Sequence, residues 1–253
     1  MFRISDHWFK LVLGSLIREG DLNLISEYLI IGLGGGFKDL HKYLEHPENV
    51  TGSAHVARTY TGSYKGVRVT TLAIAGGGVY SEWVMALAYR RKAKAIVGVG
   101  WCGALAEHVN VGDVIIPIAA VRDEDTSDHY VEKGYPAIAD FDLTKIVDEI
   151  FKEIAPSVKI HKGIIITTSS TFTESLEWGK AWSTKNVIGV DCETSVIYTL
   201  ASLLNIPVVN LLIVSDHVTK PGYSKVSWER IRDDVLKVAY EAMLKASNTL
   251  SCC

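Results

Sequence analysis

The sequence predicts a single α/β domain spanning residues 1–253, with a mixed, twisted central sheet flanked by helices. Three observations predict it. Short apolar, β-branched runs alternate with helical patterns along the chain. Most of those runs close on Gly, Ser or Asp. No internal repeat, low-complexity stretch or Pro/Gly-rich linker divides the chain.

Taken in order, "YLIIGLG" (28–34), "VRVTTLAIAG" (67–76) and "AKAIVGVG" (93–100) each have the length of a buried strand. So do "GDVIIPIAAV" (112–121), "KGIIITTSS" (162–170) and "PVVNLLIVSD" (207–216). Between them, "SEWVMALAYRRK" (81–92), "LTKIVDEIFKEI" (143–154), "TSVIYTLASLLN" (194–205) and "SWERIRDDVLKVAYEAMLKASN" (227–248) read as helices. Near-continuous apolar strands need cover on both faces, which the alternating helices supply. In such sheets ligands gather at the carboxyl ends of strands. The polar residues that close the strands are therefore where function is expected.

Composition narrows the classes. The chain is 48% hydrophobic and 22% charged, enough for a sizeable core, and its net charge is −3. No basic tract exists, so nucleic acid is not an expected partner. No apolar run reaches membrane-spanning length and "MFRISDHWFK" lacks a signal-peptide core, so a soluble, cytoplasmic protein is expected. Cysteines stand at 102, 192, 252 and 253 without metal-ligand spacing, so no metal is expected. Cys102 and Cys192 read as reduced core residues; Cys252–Cys253 reads as a frayed tail or an interchain cross-link. The chain has no Gln and is rich in Lys, Glu, Ile and Val, a thermophile's bias.

Several motifs carry chemistry. "GVGWCG" (98–103) fits G-x-G-x-x-G, but too few residues follow before the next strand for the helix that must receive a pyrophosphate. "GLGGG" (32–36) and "AGGGV" (75–79) also end strands; three glycine clusters at strand ends imply a shared pocket where backbone approaches a ligand. "IVSDHV" (213–218) puts Ser215 and Asp216 directly after the most apolar strand, where the acid either caps the next segment or titrates in a pocket. "GVDCETSVIYTLA" (189–201) sets Asp191 and Glu193 at the mouth of an apolar segment, and buried charges need partners.

Together these segments resemble the nucleoside phosphorylase family, which includes hexameric purine nucleoside phosphorylases, uridine phosphorylases and related nucleosidases. The likeness runs over about residues 28–246. "YTGSYKGVRV" (60–69) is similar to a strand hairpin of the family, and "GWCGALAEHVNVGDVIIP" (100–117) to its "G-S/T-C-G-…-G-D-V" segment. "AAVRDEDTSDHYVEKGYPAIADFDL" (119–143) is the most specific match, and "VSDH" is that of purine-specific members.

The resemblance implies cleavage of a ribosyl–base bond through an oxocarbenium-like transition state, with phosphate or water attacking C1′. It implies Glu193 as acceptor of the ribose hydroxyls, with Cys192 packing under the sugar and Asp191 beside it. Phe172, in "SSTFTES", would stack on the base, and Ser215 would stand near it. Asp216 would protonate purine N7, assisted by Arg230 of "WERIR". Leu176 and Trp178 stand where uridine phosphorylases read uracil with Gln and Arg, so a purine is expected.

The phosphate site departs from the family's pattern. The arginine of "G-D-P-x-R" aligns with Lys38, and the Arg and Ser/Thr of "R-x-G-S/T-C-G" align with Gly98 and Trp101. The arginine lent by a neighbouring subunit aligns near His55, with Arg58 three residues on. Replacing planar, bidentate donors is not conservative at a phosphate site. Gly34, Lys38, Arg58 and Trp101 remain the candidates to line it. The expected activity is glycosidic cleavage of a purine nucleoside with inorganic phosphate as co-substrate and no cofactor, in a dimer-based homo-oligomer, a hexamer by the family's habit. The rival readings are a nucleosidase, whose usual glutamate is missing from "GLGGG", and a silent nucleoside-binding protein.

Overall fold

The protein is described by a computed structural model covering residues 5–220 and 226–249. The strands among these residues are β1 (Tyr28–Gly32), β2 (Glu45–Asn49), β3 (Ala57–Tyr64), β4 (Val67–Ile74), β5 (Ala95–Ala104), β6 (Val114–Asp123), β7 (Ala137–Ile138), β8 (Ile160–Thr168), β9 (Val187–Asp191) and β10 (Val208–His217). The helices are α1 (Asp6–Leu16), α2 (Gly78–Arg90), α3 (Phe141–Ile154), α4 (Leu176–Ser183), α5 (Thr194–Leu204) and α6 (Trp228–Thr249). All ten of these strands join one mixed sheet, as the alternation of apolar runs and helical patterns predicts. Every predicted strand and helix forms; β2, β7, β9, α1 and α4 are additions.

Side-chain alternation distributes the strands' residues to two cores. Leu29 and Ile31 of β1 enter a cluster with α2 and α5 residues such as Met85 and Tyr198. Tyr28 and Ile30 point the other way, into a cluster with α3 and α6 residues such as Phe151 and Met243. The helices thus cover opposite faces.

β5 is the spine of the molecule. It pairs parallel with β10 along one side. Along the other it pairs parallel with β1 from Ala95 to Val99, then antiparallel with β9 at Gly103 and Ala104. β9 pairs with β8, β8 with β6, and β6 with β10, so β5, β10, β6, β8 and β9 close into a ring. The open remainder, β1-β4-β3-β2, ends at β2, whose five residues are all exposed, and the two-residue β7 borders β6 on the ring.

This corrects one expectation. "GVGWCG" is not a turn after a strand; β5 runs through it to Ala104. The glycines serve packing: a Cβ at Gly100 would lie 3.0 Å from Leu33, and one at Gly98 would lie 2.1 Å from Asn210 Oδ1. No helix among the described residues is long and apolar enough to cross a membrane, and Cys252 and Cys253 lie outside the described residues.

Candidate active site

Between Val99, the last β5 residue paired with β1, and Gly103, the first paired with β9, β5 has no strand partner on that side. A crevice opens there, at a strand-order switch, where open α/β sheets place ligands. It forms a cavity of about 630 Å³ lined from the ends of β1, β5, β9 and β10 and the loop after β8. Small-molecule sites span roughly 300–1,000 Å³. Among the described residues, the lining includes the carboxyl groups of Glu174, Asp191, Glu193 and Asp216 and no Lys or Arg.

The two acids at the mouth of α5 divide the work. Asp191, 5% exposed, is occupied: Oδ1 accepts from Thr167 Oγ1 at 2.6 Å, and Oδ2 accepts from Thr194 N at 2.9 Å and from the Thr194 hydroxyl. It therefore caps the N-terminus of α5 and ties it to β8. It still lines the cavity, beside Glu193. Glu193, 7% exposed, faces the other way: Gly77 N donates to Oε1 at 2.5 Å and Cys192 N to Oε2 at 3.3 Å. These donors leave lone pairs of the carboxylate open to the cavity. Burial, and then the charge of Asp191, pushes the Glu193 pKa up.

The glycine clusters explain how backbone comes this close. Gly76 and Gly34 both have positive φ, and a Cβ on Gly76 would lie 2.9 Å from Gly34 Cα and 3.0 Å from Glu193 Oε1. The first two clusters therefore meet around Glu193. Cys192 stands in the same wall, its thiol pushed up to about 12 by burial and the neighbouring acids, so it acts as an apolar surface.

At the end of β10 the register with β5 shifts between Val214 and Asp216, leaving Ser215 as the extra residue of a bulge. Bulges re-aim side chains next to sites; here Asp216 enters the cavity lining. Ser215 Oγ donates to Asp216 Oδ1 at 2.6 Å and also lies 3.2 Å from Cys102 O. Asp216 is thus held in the cavity wall rather than capping a helix.

Trp101 occupies the partnerless stretch of β5. Its Nε1 donates to Gly35 O at 2.8 Å, and the ring packs against Phe37 and Trp228, with centroids 5.3 and 5.6 Å away. An aromatic cluster and the first glycine loop therefore close the region where the resemblance put phosphate. Gly98 faces Asn210, whose Nδ2 donates to Thr194 Oγ1, so Asn210 fills the space an arginine would take.

Other expected residues lie elsewhere. Phe172 is 102% exposed and does not line the cavity; its short 3-10 turn directs it to solvent, while Thr171 and Glu174 face inward. Arg230 lies on the exposed face of α6, 3.2 Å from Ser157 Oγ, because the helix directs it toward the α3–β8 connection. Lys38, Arg58 and His55 are exposed and outside the lining, whereas Gly34 and Trp101 belong to it. Glu174 went unnoticed in the sequence. Its signal is an acid in the polar segment that closes an apolar strand, two residues beyond Phe172. The "VRDEDTSDHY" stretch acts behind the site. Its Glu124, 8% exposed, accepts from Ser127 N and from Ser195 Oγ, each at 2.9 Å, and so fastens this loop to α5.

The sequence matches the Phosphorylase superfamily over residues 28–251. It is 31% identical over 189 residues to a DeoD-type purine nucleoside phosphorylase of Buchnera aphidicola subsp. Baizongia pistaciae, covering 73% of this chain and 78% of the relative. A DeoD-type purine nucleoside phosphorylase of Actinobacillus succinogenes is 29% identical over 213 residues, 81% of this chain and 87% of its own length. Among solved structures, a uridine phosphorylase from Vibrio fischeri ES114 superposes with a TM-score of 0.76 at 24% identity, over 91% of this chain and 93% of that one. A P. knowlesi homologue of P. falciparum PNP superposes with a TM-score of 0.75 at 19% identity, over 90% and 92%. These two likenesses bear on the fold, which they share with this chain.

Proposed function

Since the chain belongs to the Phosphorylase superfamily, we propose that it cleaves the N-glycosidic bond of a purine nucleoside by phosphorolysis. The observation that carries this reading is the convergence of Glu193 and Asp216, from two different strand ends, on one nucleoside-sized cavity. Glu193 receives the ribose hydroxyls: its backbone donors fix the carboxylate, and two hydroxyls restore partners that burial removed. As C1′–N9 breaks, positive charge develops on the sugar, and the carboxylates lining the cavity stabilise it. Asp216 addresses the base, held by the Ser215 hydroxyl on the β10 bulge. Val190, Cys192 and Val218 supply apolar walls for the rings.

Phosphate is the acceptor, and it lies against Trp101 and the first glycine loop. Because the lining holds no Lys or Arg among the described residues, its binding is weak, and further donors come from a second copy of the chain. Exposed His55 and Arg58 are the residues a neighbouring copy would present, in a dimer-based oligomer working in the cytoplasm. The same acid-rich lining and the Trp101 cluster favour a second reading, in which water replaces phosphate.

The deciding experiment is to incubate the protein with adenosine, inosine, guanosine and uridine, with and without phosphate, and to assay free base and ribose 1-phosphate. Phosphate-dependent release of purine is expected. Release without phosphate moves the function to hydrolysis, and release of uracil alone refutes the purine assignment.

A further inference from the structure

Glu174 is a carboxyl group in the cavity wall that the reading above leaves without a task. It sits in the loop between β8 and α4, is half-buried, and faces the same space as Asp216. Burial, with the Asp216 charge added to it, pushes its pKa up to about 7, and among the described residues the cavity lining holds no Lys or Arg. Asp216 is different: it accepts a hydrogen bond from Ser215 Oγ. Arg230, which would have neutralised such a pair, is on the surface beside Ser157. A carboxylate lining the same cavity wall favours the protonated form of a half-buried carboxyl group beside it.

Building on the nucleoside-cleaving reading, we propose that Glu174 is the acid that protonates the departing base, with Asp216 as the neighbouring anion that keeps the proton on it. The step balances. The C1′–N9 bonding pair goes to the purine as the Glu174 carboxyl gives its proton to N7, so the base leaves neutral. Hydrogenphosphate forms the C1′–O bond and releases its own proton, which restores Glu174. In this proposal a second acid takes the part that the resemblance gave to Arg230.

The titratable groups facing Glu174 come from every wall. Among the described residues of the cavity lining they are Asp216 and His217 on β10, Asp191, Cys192 and Glu193 at the β9–α5 junction, and Cys102 on β5. Glu193 also titrates upward of its usual range, so a pH profile on one substrate would mix the two. Comparing substrates removes that ambiguity. In adenosine the base must be protonated to leave neutral, whereas in 7-methyladenosine it already carries the positive charge. Glu193, at the sugar, acts on both alike.

The experiment measures kcat/KM for both nucleosides across roughly pH 5–9 in wild type, Glu174→Gln and Asp216→Asn. In wild type the adenosine/7-methyladenosine ratio should fall as pH rises through about 7, where Glu174 loses its proton. Glu174→Gln should lower that ratio by about 10²–10⁴-fold, the range of general acid catalysis, and flatten its pH dependence. Asp216→Asn removes the charge that holds the proton on Glu174, so the falling limb should move to lower pH. Should the added methyl exclude 7-methyladenosine, the adenosine profiles of the two variants are compared with that of wild type, because Glu193 is the same in all three and cancels from the differences. Equal losses on both nucleosides in Glu174→Gln, or an alkaline limb that survives it, would overturn the proposal. A pH-independent loss in Asp216→Asn with a normal Glu174→Gln would make Asp216 the acid. Wild type that releases base from none of the purine nucleosides, inosine and guanosine included, would instead refute the functional reading itself.

Discussion

Trp101→Ser tests how the acceptor side is built. The indole is half-buried, donates to Gly35 O at 2.8 Å, and packs on Phe37 and Trp228. Truncating a fully buried aromatic costs about 3–5 kcal/mol; a half-buried one, whose freed carbonyl lies in an exposed loop that water reaches, should cost about 2 kcal/mol. On the gain side, the serine hydroxyl offers phosphate one hydrogen bond to a charged acceptor, worth about 1.5–3 kcal/mol. At 1.4 kcal/mol per tenfold, that lowers the phosphate KM by about 10–100-fold. Steady-state kinetics at varied phosphate and saturating nucleoside read the change, with denaturant unfolding alongside to read the stability cost. An unchanged or higher phosphate KM in a folded variant would refute the idea that the indole obstructs the acceptor. Release of base that ignores phosphate in both proteins would show that water takes its place.

Glu193→Ala should reduce ribonucleoside kcat/KM by at least about 100-fold, since charge-assisted bonds to two hydroxyls are lost; equally small losses on ribo- and 2′-deoxyribonucleosides would put the sugar elsewhere. Asp191→Ala should act on stability: losing the α5 cap and stranding the Thr167 and Thr194 hydroxyls should cost about 3–5 kcal/mol by urea unfolding. A loss under about 1 kcal/mol would contradict its bonded role. Arg230→Ala, on the surface, should leave the pH profile and kcat within about twofold, and a drop beyond tenfold would show that α6 turns it toward the base.

Strand ends were legible because buried parallel strands must be apolar and must stop. The acids of 189–193 stood out for the same reason, since carboxylates in apolar surroundings need partners. Their division of labour was not legible. Asp191 and Glu193 are two residues apart, and only the fold shows that Thr167 and Thr194 occupy one while Gly77 holds the other. The same spacing misled at 172–174: from sequence the aromatic was the conspicuous residue, but the turn sends Phe172 outward and Glu174 inward. The Ser215 bulge is also invisible in the chain, because register depends on two strands at once. Gly98 and Trp101 were recognised as departures, but not their complements, Asn210 and the Phe37–Trp228 cluster, which are distant in sequence.

The ring of five strands has a consequence for handling the protein at high concentration. A closed ring has few free edges, so the described sheet exposes little unpaired backbone to a second molecule: two residues at β7, and β2. β2 reads Glu45-His46-Pro47-Glu48-Asn49, with a proline that cannot donate, two carboxylates, and a kink where His46 takes φ of 51° and the register with β3 slips. Each of these features blocks a neighbouring strand from adding on. Replacing Pro47 and Glu48 with valine would turn that rim into a template, and light scattering on concentrated samples should then show growth of edge-to-edge aggregates that the native chain resists.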